Sequence, residues 1–287
     1  LGGGRVGPCA MAALSTLAAY WPASSWPLTF LACSGGFHNI LYTFGFGYGV
    51  SMLTNAGLAA IVCKFRHRTP LTPFGMACCG LYAAYGLRLS TFMVRRQGEP
   101  SYAPRLDSLQ LKSDMMGIGP KFAIVTGVSF AQALYALPLA VAASPAAARA
   151  RPALRLAGWA GVGLAAAGLF VEHLADEQKL LGKRMAPQEP VTDGLYAYCK
   201  HPNYFGEILF HCGISCMGLS GTPLQVAACI FPTFFMAFTL QNAARRADME
   251  ADHRYKNVPG YAAWAARTPV ILPAPSPALA PSPPSAP

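Results

Sequence analysis

The sequence predicts an all-α polytopic membrane protein, a transmembrane helix bundle of six to eight helices with a disordered Pro-rich C-terminal tail. Three observations carry that expectation. Hydrophobic residues fill 53% of the 287 positions and charged residues only 12%, about half of the roughly 25% that clothes a soluble domain. Mean hydropathy is +0.34. Leu, Ile, Val and Phe are interleaved with many Ala and with 28 Gly, the small residues that let helices approach closely in lipid. These features exclude a disordered polymer and a small disulfide scaffold, and they argue against a soluble enzyme.

A span needs about 20 mainly apolar residues. Taken in chain order, a short Ala-rich stretch at 9–21 comes first, then candidates at 28–46 and 48–63, which can also be read as one broken hairpin over 28–63. Further candidates lie at 72–93, 121–143, 154–174, 204–220 and 223–241, several of them interrupted by Gly or Pro. The organisation that follows is an N-terminal set of membrane helices with a basic loop (1–120), a C-terminal membrane domain (121–271) and a tail (272–287). Seven prolines fall within 273–287, which favours extended polyproline-like chain over a packed element.

The turn Ser220-Gly221-Thr222-Pro223 is too short to cross anything, so the flanking spans form an antiparallel hairpin. The segments before 204 and after 241 then share one membrane face, and threading backwards adds the 94–120 loop to it. That face collects fourteen Lys and Arg against six on the other, which makes it the cytosolic or equivalent face by the positive-inside rule. The 22 basic and 12 acidic residues give a formal charge of +10, but the bases sit in short clusters between apolar runs, as in loops beside spans rather than on a nucleic-acid surface. The nine cysteines contain no C-x-x-C pair and read as small buried hydrophobes, with no metal site expected. None of the six histidines stands in an H-x-x-x-H or H-x-x-H-H pair.

The most informative stretch is Lys200-His201-Pro202-Asn203-Tyr204-Phe205-Gly206-Glu207. Pro202 suits the first turn of a helix, whose free N–H groups and positive dipole end would favour a phosphate, with Lys200 and His201 adding charge. Lys200, Asn203 or Tyr204, Glu207 and His211 recur every three or four residues and so share a face. A polar stripe entering an apolar span is costly unless it faces a cavity or partner. Two other charged clusters converge on that membrane face. One is Glu172 to Lys179 with Lys183 and Arg184; the other is Arg245-Arg246-Ala247-Asp248-Met249-Glu250 with Asp252, Arg254, Tyr255, Tyr261 and Trp264. Each alone reads as a solvated helix end, and their convergence points to a charged site. Arg88, inside the 72–93 candidate, is either functional or snorkels toward Arg95 and Arg96.

The segments FVEHLADEQKLLGK, DGLYAYCKHPNYFGEILFHCG and YAAWAARTPVILP resemble the steroid 5-alpha-reductase C-terminal-like family. That family shares a superfamily with sterol C14 and C7 reductases and isoprenylcysteine carboxyl methyltransferases. The resemblance covers roughly 121–271, with YGLRLSTFMVRR similar to the family's Arg-Leu segment. The Gln-Lys element with a second base four residues on (Lys179, Lys183) is more like the reductases, which implies NADPH. The resemblance further implies that Lys179, Lys183, Lys200, His201, Asn203, Tyr204, Glu207 and Arg246 bind the dinucleotide, the bases neutralising its phosphates. Glu207 and Asn203 would hold the carboxamide or ribose. No G-x-G-x-x-G follows a strand, so a Rossmann domain is not expected. Two departures stand out. Lys200 replaces a family Arg and loses its bidentate fork, and His211-Cys212 replaces a Trp pair.

The expected activity is therefore NADPH-dependent reduction of a carbon–carbon double bond in a lipophilic steroid, sterol or related lipid that arrives from the bilayer. No nucleic-acid partner is expected. Tyr42, Tyr82, Tyr85, Tyr102 and Tyr196 are equivalent candidates for the acid. A methyltransferase of isoprenylcysteine or phospholipid type, using S-adenosylmethionine, is the alternative enzyme and leaves Lys179 and Lys183 unexplained. A non-enzymatic lipid-binding relative is the third reading. The resembling sterol reductases imply the endoplasmic reticulum, with a plastid membrane as the alternative.

Overall fold

A computed structural model describes residues 24–67 and 70–274. The 9–21 candidate and the tail from 275 lie outside them. The described residues are all-helical, with 83% in helix and no strand. Four helices are long and apolar enough to cross a membrane: α2 (Ile40–Phe65), α5 (Ile118–Ala143), α6 (Pro152–Met185) and α8 (Pro223–Tyr255). The two shorter ones, at 26 residues each, rise about 39 Å, against an apolar bilayer core of about 30 Å. The other helices of seven or more residues are α1 (24–33), α3 (Pro73–Gln97), α4 (Ala103–Asp114), α7 (Pro202–Met217) and α9 (Tyr261–Arg267). The chain divides into two compact units: residues up to Ala166 with Phe210–Phe235, and Ala167–Leu209 with the chain from Met236.

Helix starts follow local chemistry. Thr72 caps α3 by accepting from the Gly75 N–H at 3.0 Å, with Pro73 at the first position, where a missing N–H costs nothing. Thr222 and Gln225 form a reciprocal capping box at the start of α8, at 2.8 and 3.4 Å, which fixes the tight turn at 220–223. Pro232 lies inside α8. The Ser215 hydroxyl donates to the Cys229 carbonyl at 2.9 Å, a side-chain bond of the kind that accommodates an internal proline.

One expected boundary moves. Spans at 28–46 and 48–63 place a break at Gly47, whereas the chain breaks at 34–39 and then runs unbroken as α2. Asn39 caps the new start by accepting from the Leu41 N–H at 2.9 Å. Ser113 of α4 accepts from the Ile40 N–H at 3.3 Å, and the Lys121 ammonium donates to the Phe37 carbonyl at 3.0 Å. Gly47 instead serves close approach: a Cβ there would stand 2.9 Å from the Cys33 Cα. Likewise a Cβ on Gly86 of α3 would stand 2.4 Å from the Gly49 carbonyl of α2.

In the first unit, α2, α3, α5 and the end of α7 enclose an aromatic core. Tyr82, Tyr85 and Phe210 are fully buried, and Tyr85 stacks on Phe210 with centroids 4.4 Å apart. Gly161 of α6 and Gly213 of α7 let those helices touch, a Cβ on Gly161 falling 2.5 Å from the Gly213 carbonyl. Only 22% of the most apolar windows of α6 and α8 is buried. Phe170, Phe234 and Phe238 stand exposed there, as faces turned to lipid would.

The second unit contains the C-terminal end of α6, the 186–201 connection, the first turns of α7, the end of α8, and α9. Gly206 is its close-approach residue, since a Cβ there would stand 2.5 Å from the Glu172 N and 2.8 Å from the Gly168 carbonyl of α6. The connection turns at Gly194, whose φ of +59° suits glycine. The Gln178 amide oxygen accepts from the next N–H, that of Leu195, at 3.0 Å. Tyr255, Tyr261 and Trp264 form a small core between the ends of α8 and α9.

Candidate functional site

The Lys200–Glu207 stretch forms a helix start held by the C-terminal segment. The Lys200 N–H donates to the Pro269 carbonyl at 2.8 Å and the His201 N–H to Val270 at 3.0 Å. Ala274 N–H donates to the Tyr198 carbonyl at 3.2 Å. The Tyr196 hydroxyl donates to the Ala175 carbonyl of α6 at 3.2 Å, and the Tyr196 backbone carbonyl accepts from the Trp264 indole N–H at 3.1 Å. The second unit thus ties α6, α7, α9 and the last described residues to one loop.

The side chains build a charged cluster on that frame. Asp248 of α8 meets His201 Nε2 at 2.8 Å with one carboxylate oxygen and the Lys200 ammonium at 3.8 Å with the other. The His201 ring stacks on Tyr204, centroids 5.0 Å apart and 11° between planes. Burial pulls the His201 imidazole below its ordinary 6.5; the Asp248 hydrogen bond and charge oppose that, and the Lys179 and Lys200 charges add to it. Two bases therefore act on one imidazole. The Lys179 ammonium also lies 5.9 Å from the centre of the Tyr196 ring. Asn203 Oδ1 is buried and has no hydrogen-bond partner among the described residues, which is costly for an acceptor unless a ligand answers it.

The expected residues do not all play one role. Lys179, Lys200, His201, Asn203, Tyr204 and Glu207 all belong to this frame in the second unit. Lys183 is committed elsewhere: its ammonium donates to the Tyr255 hydroxyl at 2.6 Å, to the Pro187 carbonyl at 3.3 Å and to the Glu189 carbonyl. Arg246 is exposed on α8, two residues before Asp248. Asp248 itself was visible in the sequence only as part of a charged cluster, because its partners lie 47 and 48 residues away. Glu172 and Asp176 of α6 are buried at 4% and 6% exposure and place two carboxyl groups in the same unit.

Of the tyrosines considered for an acid, two hydroxyls are spent on backbone carbonyls: Tyr196 as above, and Tyr82 on Tyr135 at 2.8 Å. Tyr102 lies under the Arg96 guanidinium, 4.4 Å from its ring centre. Tyr42 stacks on His38, and Tyr85 is buried against Phe210. The Arg88 guanidinium lies 5.4 Å from the Phe92 ring, with Arg96 on the same ring at 5.9 Å. No group of His, Cys, Asp and Glu among the described residues has the arrangement of a metal site.

Set against a dinucleotide, the site offers two kinds of group. Lys179 and Lys200 supply positive charge at a helix start, and Asn203 offers a buried acceptor that a carboxamide N–H or ribose hydroxyl would satisfy. Residues 49–268 match the model of a family described as a protein of unknown function, DUF1295. No curated protein matches the chain, and no solved structure does.

Proposed function

The chain belongs to the DUF1295 family, and from its own residues we propose that it is a membrane-embedded NADPH-dependent reductase of a carbon–carbon double bond in a lipophilic substrate. The observation that supports this most is the pairing of the Lys179 and Lys200 charges around His201 with the buried, unanswered Asn203 Oδ1. Phosphates require the first and a nicotinamide carboxamide or ribose the second. When bound, the dinucleotide supplies a hydride.

The protein's own residues bind and orient. Lys179 and Lys200 neutralise phosphate charge. Asp248 holds Lys200 and His201 in register, so that a single carboxylate fixes both the cation and the imidazole. Tyr204 supports the His201 ring face to face. Pro202 and the Phe205 N–H to His201 carbonyl bond, at 3.1 Å, fix where the helix begins. In this reading six to eight helices span the membrane of the endoplasmic reticulum, and the substrate, a steroid, sterol or related lipid, enters from the bilayer.

Thermal stabilisation of the detergent-purified chain by NADPH, NADH and S-adenosylmethionine tests the reading, with Lys179→Ala and Asn203→Ala as controls. Stabilisation by NADPH that both variants lose is the expected result. Stabilisation by S-adenosylmethionine instead would assign the site to methyl transfer. Binding of neither, by a folded protein, would favour a lipid-binding relative.

A further inference from the structure

One end of the first unit carries charge that the dinucleotide site does not use. The end of α2, the start of α3, the end of α5 and the start of α6 meet there. The Cys63 thiol donates to the Ala143 carbonyl at 3.1 Å, and a Cβ on Gly75 would stand 3.4 Å from the Ala143 Cα. Phe74 packs edge-on against Trp159 with centroids 5.4 Å apart, and a Cβ on Gly158 would stand 2.8 Å from the Phe74 ring. The segments joined in this way, 63–75 and 143–159, hold six bases (Lys64, Arg66, Arg68, Arg149, Arg151 and Arg155) and none of the 12 acids. More than half of the formal charge of +10 therefore falls in two segments of one unit.

Three of those bases share the entry to α6. Arg149, Arg151 and Arg155 are exposed. The Arg155 N–H donates to the Arg151 carbonyl at 3.1 Å, so the two residues are one helical turn apart, and Trp159 stands one turn further along the same face. Like charges at that spacing destabilise a helix unless an anion lies between them. Trp159 and Leu156 are exposed, and so is Phe65 at the end of α2, whose ring centre lies 5.5 Å from the Lys64 ammonium. Further along, α6 presents its most apolar window, of which only 22% is buried. Positive charge, then an indole, then exposed apolar side chains is the order in which a phospholipid presents phosphate, glycerol ester and acyl chain. An inorganic anion uses only the first of these.

We propose that this end of the first unit is a binding surface for anionic phospholipid. Arg151 and Arg155 hold the headgroup phosphate, and Trp159 and Leu156 receive the glycerol backbone and the first acyl carbons. Lys64 and Arg149 extend the positive field. Two guanidiniums offer paired N–H donors to phosphate oxygens, which an ammonium does not match. The phosphate of phosphatidylcholine is balanced by its own choline, so the surface selects lipids of net negative charge, each base near the membrane surface adding to the attraction. The surface is separate from the dinucleotide reading and stands whether or not NADPH binds.

The test is thermal unfolding of the full chain in dodecyl maltoside with rising dioleoylphosphatidylglycerol, against dioleoylphosphatidylcholine and inorganic phosphate at equal concentration. Phosphatidylglycerol should raise the midpoint, and the other two should not. Sodium chloride at about 0.5 M should weaken that response by screening. In Arg151→Gln/Arg155→Gln the lipid concentration that gives half of the shift should rise about tenfold or more. Lys112→Gln/Lys256→Gln, which removes two exposed charges elsewhere, should respond as the wild type does. No shift with phosphatidylglycerol, or an equal one with phosphatidylcholine, overturns the anionic headgroup. An equal shift with inorganic phosphate overturns the lipid. An unchanged response in the Arg151–Arg155 variant, or an equal loss in the Lys112–Lys256 variant, overturns the assignment to these residues. Should the double Arg variant not fold, Arg155→Gln takes its place with a rise of about threefold or more, and an unchanged half-point in it overturns the surface.

Discussion

The His201 imidazole and the Asp248 carboxylate meet at 2.8 Å across the second unit, and the Lys200 ammonium lies against the other oxygen of that carboxylate. One acid therefore holds two adjacent residues of the motif. The arrangement has a pH signature. Burial places the folded-state value of His201 below 6.5, so the folded protein favours the neutral ring. The unfolded chain binds the additional proton, and stability from this group is present above about 6.5 and lost as pH falls toward the folded value. Asp248→Asn removes the group that opposes this shift and should extend the loss further into acid. His201→Gln should flatten it. The midpoint of thermal unfolding measured from pH 5 to 8 for the three proteins checks both signs.

The two lysines of the Gln178–Lys183 element should separate on mutation. Lys183 has given its donors to Tyr255, Pro187 and Glu189, so Lys183→Ala should cost about 1–2 kcal/mol of stability and leave NADPH affinity within about threefold. Lys179→Ala should lower that affinity about tenfold or more. Paired titration and unfolding of each variant decides it. Equal effects of both on affinity would return Lys183 to the dinucleotide.

Gly206 is read most simply as part of the motif's chemistry, but its geometry makes it a packing residue. A Cβ there meets backbone of α6 at 2.5 Å, closer than any side-chain adjustment can relieve, so Gly206→Ala should destabilise by about 1–3 kcal/mol. Gly163 lies in α6 with nothing within 4 Å of the added carbon. Gly163→Ala should be neutral or stabilising by up to about 1 kcal/mol. Chemical unfolding of the two variants in one detergent gives the comparison.

These cases show which parts were legible beforehand. Patterns confined to a few neighbouring residues could be read: the helix start at Pro202, the hairpin turn with its Thr222–Gln225 capping box and the apolar stretches of α2, α5, α6 and α8. The break inside 28–63 falls at 34–39 rather than at Gly47, because glycine can either end a helix or let one touch another, and Gly47 does the second. Asp248 is hidden for a similar reason. Its partner is 47 positions away, and nothing in local spacing marks which of several acids the fold will bring to a histidine.

The C-terminal segment should matter to the site through its backbone. Three backbone bonds, from Lys200, His201 and Ala274, hold residues 269–274 against the loop that starts α7, and Ile271 is buried beneath them. A chain ending at Arg267 loses all three and should lose its stabilisation by NADPH. A chain ending at Ala274 keeps them and should bind as the full chain does. Thermal shift of the two truncations provides the check, and equal binding by both would remove the segment from the site's framework.

The sharpest test lies at Asn203, because it sets stability against binding. Its Oδ1 is buried with no hydrogen-bond partner among the described residues, and an unanswered buried acceptor costs about 1–3 kcal/mol. Asn203→Leu removes that acceptor and fills similar volume with carbon. Without ligand the variant should unfold at the wild-type temperature or above it, by up to about 1 kcal/mol in stability. With NADPH present the order should invert, since the wild type gains from a bond that the variant cannot make. A residue serving only the architecture of α7 would lose stability under both conditions, whereas a binding residue gains without ligand and loses with it. Unfolding curves for both proteins, with and without saturating NADPH, separate the two roles by the sign of a single difference.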